Sequence, residues 1–147
     1  MKKIITSIQG FTLIELLVAA TIVIILSAIG FVSFSQAGKT ARDGRRKSDI
    51  GEIRNALELY RSTSGAYPLA SGGTGLLRWN AMVSALNTGG YISTSTIADP
   101  KNDTVTYMYT YDSPWPAPGV NGKTYRVCAY TLETSTLPSP AYCLTSP

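Results

Sequence analysis

One carboxylate lies inside an otherwise apolar stretch near the start of the chain. A short leader ends at Gly10, an apolar run begins at once with Phe11, and Glu15 is the fifth residue of that run. An ionisable side chain in an apolar span is energetically costly, so such a residue usually has a function and a partner. The candidate partner is the amino group that cleavage between Gly10 and Phe11 would create. If the chain were cut there, Glu15 could form an ion pair with the new N-terminus, and its position inside the apolar run would have a reason.

Two cysteines form the second set of residues with chemistry. Cys128 and Cys143 lie 15 positions apart and flank residues 131–141, a segment with two prolines. In an exported domain this pattern favours a disulfide. Closing a loop of this size stabilises a fold by roughly 3 kcal/mol. Two reduced cysteines in the core are the alternative that the sequence leaves open.

Three aspartates in turn-rich segments could supply oxygen ligands to calcium: Asp99, Asp103 and Asp112. A hard cation of this kind takes six to eight oxygens. Nothing in the sequence shows these side chains converging, so ordinary turn positions are favoured. We therefore predict no cofactor, with calcium as the alternative.

Five basic residues fall between positions 39 and 47 and could contact DNA or anionic lipid, since phosphate contact needs only positive charge. The net charge of +4 does not indicate a dedicated nucleic-acid binder, and a solvated helix face is favoured. The chain has no histidine, the commonest general base and metal ligand, and it carries no nucleophile motif. We therefore predict a protein that is not an enzyme.

One long helix must position the junction, and its character changes halfway along. Residues 11–34 are almost wholly apolar and, as a helix, span roughly 36 Å, which is enough to cross a bilayer core. In residues 35–63, apolar side chains recur at spacings of three and four, which predicts an amphipathic continuation. The pair Ser64-Gly65 predicts the end of the helix.

The remaining residues, 64–147, predict a small globular head. Apolar side chains at helical spacing indicate a short second helix, and period-two alternation with tyrosines on one face indicates strands. The fold class is therefore α+β, a long N-terminal helix packed on a small antiparallel sheet, with a disulfide loop near the C-terminus. The second helix is expected from Leu76 to Gly89, and the strands are expected over residues 105–111, over residues 125–132 and around residues 142–144.

The junction resembles the class III signal of type IV pilins and of the related type II secretion pseudopilins. The matching residues are Gly10, Phe11 and Glu15, followed by the aliphatic stretch to Phe34. The resemblance implies that a prepilin peptidase removes residues 1–10 and methylates Phe11. It also implies that Glu15 pairs with the Phe11 ammonium of the same or a neighbouring subunit and sets the register of assembly. A long stem helix followed by a sheet head is likewise a pilin-like order of elements.

The function implied by the resemblance is that of a structural subunit of a type IV pilus, a surface filament used in adhesion, twitching motility or DNA uptake. The precursor would cross the inner membrane once, with its head exported. It would then polymerise into a helical filament of identical subunits on an assembly platform with a separate ATPase motor. Two alternatives stay open: a major pseudopilin of a type II secretion or competence system, and a membrane-anchored binding domain that never polymerises. Major pseudopilins hold calcium in a comparable C-terminal loop, but this sequence does not match that site residue by residue.

One feature argues against an exported head, and another argues against cleavage after Gly10. Residues 39–47 carry more positive charge than the leader with Lys2 and Lys3, and a count of positive charge would place the wrong end inside. The sequence Ala28-Ile29-Gly30 could also serve as a signal peptidase site, which would release a secreted protein. The cysteines, the polar turn-rich head and Glu15 nevertheless favour a processed precursor whose C-terminal part is exported.

Overall fold

The computed structural model describes residues 10–70, 72–94, 96–114, 122–136 and 139–147. The predicted leader therefore lies outside the described residues, apart from Gly10. The chain divides into two compact units, residues 1–38 and residues 39–147. The elements in chain order are α1 (Leu13–Ser64), α2 (Gly75–Thr88), β1 (Tyr109–Asp112), β2 (Arg126–Ala129) and β3 (Tyr142–Thr145).

Helix α1 confirms the predicted stem, beginning two residues after position 11 and ending one residue after position 63. In its first half every large apolar side chain that the structure describes is exposed. Leu13, at the start of the helix, is 82% exposed, and Phe34, near the end of this half, is 83% exposed. In its second half the side chains of Ile50, Ile53 and Leu57 are fully buried in the head. The helix ends where Gly65 adopts φ of +79°, a left-handed conformation that favours glycine, and donates its N–H to the carbonyl of Arg61.

Strands β1, β2 and β3 form an antiparallel sheet in that order. Three buried tyrosines of the sheet region, Tyr109, Tyr111 and Tyr125, join the same core cluster as the apolar face of α1. Two of their hydroxyls reach the helix, because Tyr109 donates to Asp49 at 2.7 Å and Tyr125 donates to Glu58 at 3.1 Å. Each large ring contributes apolar burial and a polar tip that needs a partner, so these contacts fix the sheet against the helix.

The predicted strand over residues 105–111 is wrong in its first half, because β1 begins only at Tyr109. The cause is Asp103, whose Oδ1 accepts hydrogen bonds from the backbone N–H groups of Val105, Thr106 and Tyr107 at 3.1, 2.7 and 2.7 Å. Because those N–H groups are bonded to a side chain, they cannot form the backbone hydrogen bonds that would extend the sheet into this segment. The predicted strand over residues 125–132 is also too long, whereas the third strand and α2 lie where they were expected.

Cys128 and Cys143 form the predicted disulfide, with a Cα–Cα distance of 4.1 Å. They occupy directly opposed positions in the register of β2 and β3. The bond therefore joins two strands that already pair, and it encloses the loop between them. The alternative of two reduced core cysteines is wrong.

Candidate functional site

The junction at Gly10 and Phe11 lies outside the helix. Residues 10–12 have no regular secondary structure and are exposed, and the Phe11 side chain is 84% exposed. Exposed, non-helical backbone is where proteases cut most readily. The peptide bond between Gly10 and Phe11 is therefore open to an enzyme without any unwinding of α1.

Glu15 takes part in a helix cap that the sequence analysis missed. Its Oε2 accepts hydrogen bonds from the backbone N–H and the hydroxyl of Thr12 at 2.9 and 2.7 Å, and its own N–H donates to the Thr12 hydroxyl at 3.4 Å. This is a capping box, in which a threonine and a glutamate three residues later satisfy the first free N–H groups of a helix. The spacing Thr12-x-x-Glu15 was the available signal.

The first half of α1 is long and apolar enough to cross a membrane, and it is the one such helix in the part of the chain that the structure describes. Its apolar side chains cover all sides of the helix rather than one stripe. A helix of this kind is stable when it is surrounded by lipid or by other apolar helices. The surface therefore suits both a membrane span and the interior of a helical bundle.

A cluster of charged side chains ties the second half of α1 to two loops of the head. Its centre is the guanidinium of Arg46, which is 0% exposed. Arg46 donates to Asp43 at 2.7 Å, to both oxygens of Asp99 at 2.6 and 2.8 Å, and to Glu133 at 3.1 Å. A second arginine, Arg42, makes a two-pronged contact with Glu133 at 2.6 and 2.7 Å. Bidentate pairs of this kind are the strongest ion pairs in proteins.

These contacts shift the pKa values of Glu133, Asp43 and Arg46 in the direction that favours their charged forms. The hydrogen bond from Arg42, helped by Lys101 and Arg46, lowers the pKa of Glu133 to about 2 against its burial. Burial raises the pKa of Asp43, but hydrogen bonds from the backbone of Glu133 and from Thr134 outweigh it and leave that pKa lowered. The pKa of Arg46 is raised, since its three carboxylate partners outweigh the cost of burying it. Glu133, Asp43 and Arg46 are therefore charged at neutral pH.

The three aspartates considered for calcium each have separate partners. Asp99 is paired with Arg46, and Asp103 accepts the three backbone N–H groups described above. Asp112 lies between two arginines, with Arg126 at 2.9 Å and Arg78 also in contact. Within the described ranges, no group of three His, Cys, Asp or Glu residues is placed to hold a metal ion.

The basic segment is only partly the solvated face that we predicted. Arg45 is 67% exposed, with Asp49 at 3.9 Å, and Lys47 is exposed near the ring of Tyr142. Arg46, in contrast, is buried. Its position four residues before Ile50 on the buried face of α1 was the signal that could have separated it from its neighbours.

Comparison with known proteins finds two matching families. The family described as type II secretion system protein G matches residues 34–136, which is well over half of the chain. The prokaryotic N-terminal methylation motif matches residues 5–31, which include Gly10, Phe11 and Glu15. Searches of curated proteins and of solved structures find no match.

Proposed function

Because the chain belongs to the family of type II secretion system protein G, we propose that it is a pseudopilin, a subunit of the short filament that drives type II secretion. Pilins and pseudopilins are structural subunits rather than enzymes, and the chain is a subunit of one of these two kinds of assembly. The observation that carries the finer proposal is the match over residues 34–136, which covers the second half of α1 and the head up to residue 136. The sequence analysis placed the type IV pilus first and the pseudopilin second, and this match favours the second.

The proposed life cycle begins with a precursor held in the inner membrane by the apolar half of α1. A prepilin peptidase cuts after Gly10 and methylates Phe11, and the subunit then leaves the membrane for a filament of identical subunits on an assembly platform with its own motor. The exposed non-helical junction, the apolar surface of α1 and the methylation motif support this sequence of events.

Mass spectrometry and N-terminal sequencing of the protein from its native host test the processing step. We expect a chain that starts at Phe11 and is heavier than its sequence by one methyl group. A chain that starts at Met1 or at Phe31 would overturn the proposal, because it would indicate a plain anchor or a cleaved signal peptide.

Deletion of the gene tests which filament the subunit builds. For a pseudopilin we expect exported proteins to accumulate inside the cell envelope while surface pili persist. Loss of sheared surface filaments with normal secretion would favour a type IV pilus instead.

The type IV pilus remains the second candidate because of one observation. The Cys128–Cys143 disulfide closes a loop near the C-terminus, and this arrangement is similar to that of many pilins. A pilus subunit would pass the processing test equally well, so the deletion experiment is the one that separates the two filaments.

Glu15→Gln tests whether the charge of Glu15, and not only its cap, is needed for assembly. Glutamine can still complete a capping box with Thr12, but it cannot form an ion pair with the Phe11 ammonium. We expect filament yield to fall by about tenfold, the effect of roughly 1.4 kcal/mol per contact. The matched control is Thr12→Val, which removes the hydroxyl from the cap and leaves the charge, and which should assemble nearly as well as the wild type. A loss of filament yield in Thr12→Val with none in Glu15→Gln would show that Glu15 acts only through the cap.

A further inference from the structure

The unit formed by residues 39–147 contains three buried carboxylates that come from distant parts of the sequence. Asp43 lies on α1, Asp99 lies in the loop after α2, and Glu133 lies in the loop between β2 and β3. Their side chains are at most 6% exposed. Three acids brought together out of water need positive charge beside them, because an unpaired buried charge is strongly destabilising.

Positive charge in this cluster comes from the chain itself. Arg46 contacts all three carboxylates, and Arg42 and Lys101 both pair with Glu133, the latter at 3.1 Å. Three cations therefore face three carboxylates, and the cluster is neutral. A divalent cation added to it would leave an excess of two positive charges.

The hydrogen bonds leave these oxygens no free direction toward a metal. Both oxygens of Asp43 accept N–H or O–H groups, from Arg46 and Glu133 on one side and from Thr134 on the other. Both oxygens of Asp99 accept from Arg46, and one also accepts the N–H of Lys101. Both oxygens of Glu133 contact Arg42. A metal ligand must turn its lone pairs toward the ion, whereas here donor hydrogens occupy that side.

We infer that the guanidinium of Arg46 neutralises these carboxylates in the place that a metal ion would otherwise take. This subunit therefore folds and keeps its fold without calcium. Three segments are held together here by a guanidinium. The inference rests on the proposed function, since calcium is expected for pseudopilins of this kind. Its test is made on single subunits, so its failure is distinguishable from failure of processing or of filament assembly.

Thermal unfolding of the full-length chain in detergent, followed by near-ultraviolet circular dichroism of the buried tyrosines, provides the first test. We expect the same midpoint in excess EDTA and in millimolar calcium, because a ligand raises the midpoint only when it binds the folded state. A rise of several degrees in calcium would overturn the inference. This measurement uses the wild-type chain and does not depend on any variant folding.

Substitution of the arginine provides the second test. Arg46→Met removes the central cation and keeps much of the side-chain volume, and the matched control Arg45→Met removes a neighbouring arginine that is 67% exposed. We expect the midpoint in EDTA to fall by ten degrees or more for Arg46→Met and by no more than one or two degrees for Arg45→Met. Failure of Arg46→Met to fold while Arg45→Met folds is the extreme form of the same result. Equal midpoints for the two variants would overturn the inference.

Discussion

At the scale of single residues, two glutamates, one in each unit of the chain, have opposite environments. Glu15 is exposed on an apolar helix with Thr12 as its partner, so a second, charged partner can still reach it. Glu133 is buried and surrounded by Arg42, Arg46 and Lys101. The first arrangement suits a contact made later with another subunit, and the second suits a permanent contact within the head.

Glu133 makes the stability of the head depend on pH. Its pKa falls from the ordinary 4.5 to about 2 on folding, so its contribution is complete above pH 4.5 and is lost as the pH falls toward 2. That contribution is at most about 3 kcal/mol, the energy that corresponds to such a shift. We expect Glu133→Gln to flatten the pH dependence of unfolding below pH 4.5, as measured by urea titration at several pH values. The control Glu52→Gln changes an exposed acid on α1 and should leave the slope unchanged; an unchanged slope in Glu133→Gln would contradict the prediction.

At the scale of elements, side chains decide where regular structure stops. Asp103 takes the N–H groups that would have extended β1, and Thr104 beside it has φ of +63°, which is unfavourable for a β-branched residue. Residues 103–107 therefore form a loop held by hydrogen bonds rather than the start of a strand. Arg46 and Lys101 both stack near the ring of Tyr107, so this loop is also joined to the buried ion cluster.

Asp103→Ala should release this loop without melting the sheet. The variant removes the acceptor of three backbone N–H groups, so we expect hydrogen exchange at Val105, Thr106 and Tyr107 to accelerate by about tenfold or more, as for the loss of one to two kcal/mol of local stability. The N–H of Val127 in the central strand β2 is the internal control and should keep its protection. Acceleration at both places would mean that the loop and the sheet open together.

At the scale of the whole molecule, helix α1 must suit both the single subunit and the assembled filament. The helix is continuous through Gly30 in the single chain, and a side chain added there would meet nothing within 4 Å. In some related filaments the corresponding part of the stem is locally unwound. We predict that α1 unwinds at Gly30 in the filament, because glycine is the residue that loses least by leaving a helix. The single chain shows only the helical form.

Gly30→Ala tests that prediction. Alanine favours the helix over glycine by up to about 1 kcal/mol, so the variant should resist unwinding. We expect the subunit to be processed normally and the filament yield to fall several-fold, as measured by shearing and electron microscopy. Gly51→Ala is the matched control, because Gly51 also lies in α1 with no atom within 4 Å of an added side chain. A normal filament yield for Gly30→Ala would show that no unwinding is required there.

The sequence by itself determined the features that depend on local pattern. The stem helix, the second helix and the disulfide pair all follow from residues close together or from cysteines that have only each other as partners. Periodicity is a local property, and it located the ends of α1 to within two residues. The tertiary structure alone decided which charges are buried and where the first strand begins. Those outcomes depend on Asp99 and Glu133, which lie 53 and 87 positions from Arg46, and on a side chain that competes with the sheet for backbone N–H groups. No pattern in a short window of sequence encodes such distant or competing contacts, because only folding brings them together.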